Sequence, residues 1–287
     1  MRRKSWFVGG LVLAAGFFTW ATAEAWWVKG HGTITEAAAN ALPDDVPAFF
    51  RSAGKALNHL AGDPDRWKSR DAKTLTNAVY PEHFIDWEDL EGNDPPRMRY
   101  DFLALSQRLK KAPDKIGTLP WAIQEGYEKL MLAFRDYRND KENPAIPMKC
   151  IVYAGNLAHF TTDCAMPLHT TTNYDGRRGP GGRMEQKGIH AKLDGFPETF
   201  GFTAEEIARG LQAKSVDDVW AYTLKFIQDS RSHIDQAYEL DTAGGFKNPT
   251  DASRAFVMER CRAGAQFTMD IWYTAWMKSA KLSASPY

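Results

Sequence analysis

Hydrophobic residues recur along most of the chain at the spacing of amphipathic helices, and the alternation typical of strands is scarce. One such stretch opens with Pro120, a residue type that starts helices well. The apolar pattern predicts helices over residues 32–42, 96–112, 120–140, 147–165, 215–238 and 250–280. No linker separates them, so the sequence predicts one all-α domain, a multi-helix bundle over residues 26–287 whose last helix ends near Ala280.

Local signals mark several helix ends and loops. Thr33, with Glu36 three residues later, has the form of a capping box and predicts a helix start. Pro167 disfavours helical geometry at the residue before it, so the apolar central helix should end just ahead of this proline. Residues 172–188, rich in glycine and arginine, and the polar residues 62–74 are predicted to be loops.

The first 25 residues have the three-part layout of a secretory signal peptide: a basic start, an apolar run from Trp6 to Trp20, and a small-residue cleavage motif ending at Ala25. The apolar run is shorter than the ~20 residues that a membrane span needs, which disfavours a permanent anchor. We therefore expect residues 1–25 to be removed and a secreted or periplasmic protein to begin at Trp26. Sec and twin-arginine export both stay open, because the twin-arginine motif is incomplete.

Composition narrows the class of protein. Of the 287 residues 44% are hydrophobic and 13% aromatic, which favours a globular body with a sizeable core. Removal of residues 1–25 would leave 33 basic and 35 acidic residues, a formal net charge of −2. This balance lacks the strongly basic footprint of a duplex-binding protein, although a small nucleic-acid site stays compatible with it.

The three cysteines leave two alternatives open. Cys150 and Cys164 would be about 21 Å apart on one helix, too far for a disulfide bond. Either could pair with Cys261, or all three could be small buried apolar residues.

The stretch HFTTDCAMPLH carries the first candidate chemistry. His159 and Asp163 are four residues apart and would share one face of a helix. His169 follows the bend expected at Pro167, where the chain can return toward that face. Imidazole and carboxylate are ligands suited to zinc. A single pair of this kind is more often a contact on a helix surface, so further ligands are needed to predict a metal site.

Other histidines supply such ligands. His190 and Asp194 repeat the spacing of four, His83 lies in an acidic and apolar segment, and His31 comes five residues after the expected new N-terminus. Asp63 and Asp65 lie in a predicted turn. Five histidines with several aspartates exceed the capacity of one tetrahedral zinc, so the sequence predicts a multinuclear site. The remaining two, His59 and His233, are interpreted as surface or packing residues.

In order and spacing, these motifs resemble those of the superfamily of zinc-dependent phospholipases C and single-strand-specific zinc nucleases. The resemblance extends from Trp26 to Asp194, and a weaker similarity is present in the last helix. The resemblance implies a secreted all-α hydrolase with three zinc ions, in which a hydroxide held between two ions attacks a phosphodiester. Its implied zinc ligands are Asp65, His83, His159 and Asp163 for one ion; His169, His190 and Asp194 for a more exposed second; and the α-amino nitrogen and carbonyl of Trp26 with His31 for a third, to which Asp163 also bridges.

One ligand position stays open. The first aspartate in the family is commonly followed three residues later by arginine. Counting from Asp65 gives Lys68, and counting from Asp63 gives Arg66. We prefer Asp65, because a bulky residue and a base then follow it together, and Asp63 is the alternative. Lys68 becomes a candidate substrate contact.

The substrate is less well specified than the reaction. The short gap before His31, the HFIDWED segment and the aspartate at 194 are similar to the nucleases, whereas GIHAK around His190 is similar to the phospholipases. We expect a single-strand nuclease, with a phospholipase C as the alternative and no obligate protein partner. Trp87 and Tyr174 could stack on a base or pack the wall of the cleft.

The arginines of the glycine-rich loop add a second open point. Arg177, Arg178 and Arg183 could contact a substrate phosphate, or the loop could simply be solvated.

Two functions outside the class of zinc hydrolases also stay open, namely a non-catalytic secreted zinc-binding protein and a helical protein of the membrane surface.

Overall fold

The computed structural model describes residues 26–283, and within them helices account for nearly all regular structure, which confirms the predicted all-α fold. The α-helices are α1 (Val28–Asn40), α2 (Ala48–Arg51), α3 (Gly54–Leu60), α4 (Asp63–Arg66), α5 (Lys73–Val79), α6 (Arg99–Leu109), α7 (Pro113–Ile116), α8 (Leu119–Asn139), α9 (Ala145–Asp163), α10 (Ile189–Asp194), α11 (Phe196–Thr199), α12 (Ala204–Ala208), α13 (Val219–Ser232), α14 (Ile234–Thr242) and α15 (Asp251–Ser279). Short 3₁₀ turns span Tyr80–His83, Trp87–Leu90, Pro167–Thr170 and Pro180–Gly182.

Helix α9 is the centre of the bundle and packs against α1, α3, α8 and α15. The packing of α9 on α3 is close: a Cβ added to Gly155 would lie 2.4 Å from Cβ of Leu60. Large buried side chains such as Trp121, Phe134 and Trp272 fill the interior around it. The residues at the C-terminal end of α9 are therefore held in a rigid, water-poor environment.

Several predicted boundaries are confirmed. Helix α8 has a proline in its first turn, at Pro120, as the sequence predicts. Helix α9 ends at Asp163, ahead of Pro167, and the chain then bends into a 3₁₀ turn. The last helix begins directly after Thr250, whose hydroxyl accepts a hydrogen bond from the amide of Ser253.

The predicted capping box at Thr33 is wrong. Helix α1 already begins at Val28, and the Thr33 hydroxyl donates to the carbonyl of Lys29 inside the helix. The physical reason is that the chain before the helix is fixed by burial of Trp26 rather than by a polar cap.

The helix predicted over residues 215–238 is two helices, α13 and α14, which meet at His233. Helix α13 packs against both α8 and the turn Pro167–Thr170, whereas α14 packs against the turn. With the break at His233, both helices contact this turn.

The predicted loop over residues 172–188 contains a short antiparallel hairpin, in which β1 (Arg177–Arg178) pairs with β2 (Met184–Glu185). Gly181 and Gly182 have positive φ angles at its tip, a conformation that favours glycine. The glycine-rich sequence thus makes a hairpin rather than an irregular loop.

Three further sequence-based expectations concern export and cysteines. The predicted signal peptide, residues 1–25, lies outside the described residues. Within residues 26–283, no helix combines the length and apolar character that crossing a bilayer requires. Cys150, Cys164 and Cys261 are all buried and free, so the alternative of small apolar core residues holds among the described residues.

Candidate metal centre

Eight histidine and aspartate side chains gather around the C-terminal end of α9, and all of them are buried. They come from α1, α4, the turn Tyr80–His83, α9 itself, the turn Pro167–Thr170 and α10. Elements separated widely in sequence thus contribute to one centre. The eight residues are His31, Asp65, His83, His159, Asp163, His169, His190 and Asp194.

These side chains form three groups, in each of which the ligand-type atoms lie within 4.8 Å of one another. The groups are His31, His159 and Asp163; Asp65, His83 and His159; and His169, His190 and Asp194. The first two share His159. Buried groups of this composition could hold metal ions, because imidazole nitrogens and carboxylate oxygens are suitable ligands and lie close together in each group.

Asp163 links the groups through its two carboxylate oxygens. Oδ1 lies 3.4 Å from Nε2 of His31 and 3.2 Å from Nδ1 of His169. Oδ2 lies 3.2 Å from Nδ1 of His83 and 3.2 Å from Nε2 of His159. One carboxylate therefore faces four imidazoles, the geometry that a bridging ligand requires.

Many of the donor atoms have no hydrogen-bond partner among residues 26–283. Both oxygens of Asp163 and Asp194 are in this condition, as are both ring nitrogens of His169 and His190, whereas Oδ1 of Asp65 lies 2.6 Å from the ammonium nitrogen of Lys68. A buried polar atom without a partner is costly, and most such atoms in proteins are satisfied. Metal ions would satisfy them, so the residues fit the binding of metal ions.

Hydrogen bonds from the surrounding helices orient two of the imidazoles. Nδ1 of His159 lies 2.8 Å from the carbonyl oxygen of Ala61, an acceptor that requires Nδ1 to carry the proton. Nδ1 of His31 lies 2.5 Å from the hydroxyl of Thr162, which itself donates to the carbonyl of Ala158. Both rings therefore direct Nε2 toward Asp163, the orientation that metal-binding histidines require.

Burial and nearby positive charge lower the pKa of three imidazoles and keep them neutral. Burial, with a contribution from neighbouring imidazoles, lowers the pKa of His31 and His190 well below the usual range. Burial and then the ammonium group of Lys68 lower the pKa of His83 to about 4. Neutral imidazole is the form that binds a metal, so these residues are ready to act as ligands at neutral pH.

The pKa values of Asp163 and Asp194 are shifted in opposite directions. Burial opposes ionisation of Asp163, but the imidazoles of His159 and His169 outweigh it and hold the pKa of this carboxyl well below its usual range. Burial, with the charge of Asp163, raises the pKa of Asp194 well above its usual range. A cation bound beside Asp194 would offset both contributions.

Trp26 lies next to the first group. Its side chain is fully buried, and its indole nitrogen donates to the carbonyl of Thr162, the residue that also contacts His31. The amide of Trp27 donates to the carbonyl of Asp194 at 3.3 Å. The residue expected to form the mature N-terminus is thus fastened between α9 and α10.

The alternative between Asp63 and Asp65 has a clear structural outcome. Asp65 is buried in the second group, 2.6 Å from Nζ of Lys68. Asp63 instead forms a partly exposed ion pair with Arg66 at 2.7 Å. The structure brings Asp65, and not Asp63, to the centre.

A cleft of about 340 Å³ opens beside the centre. The predicted residues Lys68, His83, His169, Tyr174 and His190 line it. Its other lining residues are Tyr80, Phe84, Asp86, Asp89, Asp114, Lys115 and Leu168.

Asp86 is a cleft residue that the sequence did not single out. Burial, together with the charges of Asp89 and Glu88, raises the pKa of its carboxyl to about 7. Its only sequence signal was its place in the HFIDWED segment, three residues after His83.

Two of the three loop arginines, Arg177 and Arg178, have protein partners. Arg177 forms an ion pair with Asp235 at 2.9 Å, and its guanidinium lies over the ring of Tyr238. Arg178 donates to the carbonyl of Gly182 within the hairpin. Among the described residues, the lining of the cleft includes none of the three loop arginines, and Trp87 is likewise absent from it.

Comparison of the chain with models of protein families found no match, and comparison with curated proteins found none either.

Proposed function

We propose that the protein is an exported trinuclear zinc phosphodiesterase that acts on single-stranded nucleic acid. The observation that carries this proposal is the set of three buried His/Asp groups beside an open cleft, two of which share His159 while Asp163 lies 3.2 Å from His169 of the third. A purely structural zinc site is usually one closed four-ligand shell. Three linked groups at a cleft are better suited to catalysis, because clustered ions can act together on one phosphate.

Zinc is the proposed metal because the groups consist of imidazoles and carboxylates with no cysteine. Each three-residue group leaves room for further ligands. In the proposal, the α-amino nitrogen and carbonyl of Trp26 complete the group of His31, and Asp163 serves two ions. Bound zinc would supply an activated water near neutral pH and offset negative charge on the phosphate.

The residues of the chain have distinct roles in this proposal. Asp65 and Asp163 hold the ions and thereby fix their separation. Lys68 lines the cleft beside Asp65, where its ammonium group would attract and orient an anionic phosphate. The buried surroundings of α9 exclude water from the far side of the centre, which strengthens these electrostatic interactions.

Aromatic residues in the cleft support a nucleic-acid substrate. Tyr80, Phe84 and Tyr174 line the same cavity as the metal-site histidines, and Tyr80 and Phe84 contact each other edge to face. Aromatic faces beside a phosphate site suit bases of a single strand, since each base can stack without being read in sequence. In this proposal the signal-like residues 1–25 direct the protein to the periplasm or the exterior.

A metal count on purified protein, combined with assays on single-stranded DNA, RNA and phosphatidylcholine vesicles, tests the proposal. We expect three zinc ions per chain and cleavage of the single strands but not the vesicles. Cleavage of phosphatidylcholine alone would instead establish a phospholipase C. Zinc binding without hydrolysis of any phosphodiester would indicate a non-catalytic zinc protein, and vesicle binding without zinc would indicate a protein of the membrane surface.

A further inference from the structure

The third group, His169, His190 and Asp194, is assembled across the hairpin region. His169 lies before this region, and His190 and Asp194 follow it on α10. The hairpin contains five glycines between residues 172 and 188. A flexible chain of this kind does not by itself bring its two ends into register. Helix α10 is anchored by burial of Ile189 and Leu193 and by the hydrogen bond from the amide of Trp27 to the carbonyl of Asp194, and an interaction at the base of the hairpin would add to this order at its first turn.

Helix α10 cannot supply that order from its own sequence. It has only six residues, fewer than an isolated helix needs to be stable. Gly188 precedes it with φ of +88° and has no side chain with which to cap the free amides of the first turn.

Asp175 supplies the missing acceptor from across the hairpin. Its Oδ1 accepts hydrogen bonds from the amide of Gly188 at 2.7 Å and from the amide of His190 at 3.4 Å. The carboxylate thus takes the place of an N-cap side chain although it lies thirteen residues before Gly188. Negative charge at this helix end is also favourable.

The residues on either side of Asp175 are themselves fixed to α14. The hydroxyl of the buried Tyr238 donates to the carbonyl of Asn173 at 2.6 Å and accepts from the amide of Gly176 at 3.0 Å. On the returning chain, Nε2 of Gln186 donates to the carbonyl of Tyr238 at 2.7 Å. Both ends of the hairpin are therefore bound to one residue, and Asp175 is presented to α10 from a fixed position.

We propose that Asp175 is a positioning residue for the third group, holding His190 and Asp194 at the distance from His169 that a bound ion requires. The inference rests on the proposed function in that the group holds an ion. Loss of this capping carboxylate lets α10 fray and weakens one of three ions selectively.

The test compares Asp175→Ala, Asp175→Asn and the wild type. Alanine removes the acceptor, whereas asparagine keeps an oxygen that can accept the same two amides. Asp218→Ala is the matched control, because Asp218 caps α13 through the amide of Ala221 away from the centre. Zinc affinity and stoichiometry are measured by titration of chelator-treated full-length mature protein, and amide hydrogen exchange is followed at Gly188 and His190.

We expect Asp175→Ala to bind two zinc ions as tightly as the wild type and the third about tenfold or more weakly, the scale seen when a supporting residue of a metal site is lost. The amides of Gly188 and His190 should lose protection in this variant and keep it in Asp175→Asn. The control Asp218→Ala should change neither the zinc affinity nor the protection of these amides, even if its melting temperature falls as far as that of Asp175→Ala.

Unchanged affinity for all three ions in Asp175→Ala, or an equal loss at all three, would overturn the inference while leaving the proposed function intact. Unchanged exchange at Gly188 and His190 would overturn it as well. A wild-type protein that binds no zinc would contradict the proposed function itself, and with it the metal-positioning role.

Discussion

Nε2 of His159 lies 3.2 Å from Oδ2 of Asp163, one turn further along α9. Both side chains are fully buried, and each belongs to a group that also draws ligands from other elements. The last turn of this central helix therefore provides the fixed point around which the candidate metal centre is built.

Replacement of Asp163 with asparagine should remove metal and activity together. An amide has neither the charge nor the second anionic oxygen needed to serve two ions. Loss of a supporting residue alone costs about 10–100-fold, so we expect turnover to fall by about 100-fold or more and at least one zinc to be lost. Zinc content and phosphodiester hydrolysis measure this, with Asp63→Asn as the matched control at an exposed ion pair. Three zinc ions and full turnover in Asp163→Asn would exclude the bridging role.

A protein that keeps residues 1–25, or that carries one added glycine before Trp26, should bind fewer zinc ions and be nearly inactive although folded. A free α-amino group has a pKa of about 8, so a metal can displace its proton, whereas an amide nitrogen is a very poor ligand at neutral pH. The buried indole of Trp26 should remain in place in both forms. N-termini are verified by mass spectrometry before zinc content and hydrolysis are compared. Equal zinc content and rates would remove the N-terminus from the site.

Replacement of both Arg178 and Arg183 with alanine should weaken substrate use at low salt and leave the zinc content unchanged. Neither guanidinium has an acidic partner among the described residues, so each is available to a phosphate of a longer substrate. The loss should shrink at high salt, because screening weakens attraction between exposed charges. Michaelis constants on long and short single strands measure the effect.

Arg177→Ala is the companion variant for this experiment. Its guanidinium is held by Asp235 and Tyr238, so we expect a structural effect that does not depend on salt. A Michaelis constant for the double variant that equals the wild-type value in every buffer would show that the hairpin takes no part in binding.

Asp86→Asn should raise the unfolding free energy relative to the wild type, and this gain should be larger at pH 8 than at pH 5. The pKa of this carboxyl is raised to about 7 in the folded protein by burial and by Asp89 and Glu88. Between its unfolded pKa and about 7, the folded state holds a proton that the unfolded state releases, so stability falls as pH rises through this window. Because Asp86 is partly exposed, solvent screening reduces the free energy that corresponds to this pKa shift. We therefore expect a gain of about 1–2 kcal/mol in unfolding free energy at pH 8.

Urea denaturation of the wild type and the Asp86→Asn variant at both pH values measures this difference, with metal content checked in each sample. Asp114→Asn, at an exposed position of the same cleft, is the matched control. A pH dependence that is the same in the wild type and in Asp86→Asn would contradict the assignment of a raised pKa.

The sequence alone was enough to predict the helical class, the central helix and most of the centre. Periodic apolar residues determine which segments are helices, and Pro167 determines where α9 ends, because both act locally. The four-residue spacing of His159 and Asp163 already placed them on one face. The candidate ligands His31, His83, His169, His190 and Asp194 could be chosen because five of the seven histidines lie beside carboxylates or near the expected N-terminus.

Only the tertiary structure decided between Asp65 and Asp63, which differ by two residues in one turn. Burial and the approach of His83 and His159 make the distinction, and neither follows from local spacing. The same holds for Asp86, whose raised pKa depends on surroundings built from several elements, and for Asp175, whose partners lie across the hairpin. Local sequence fixes periodicity and turns, whereas desolvation and long-range contacts exist only once the chain has packed.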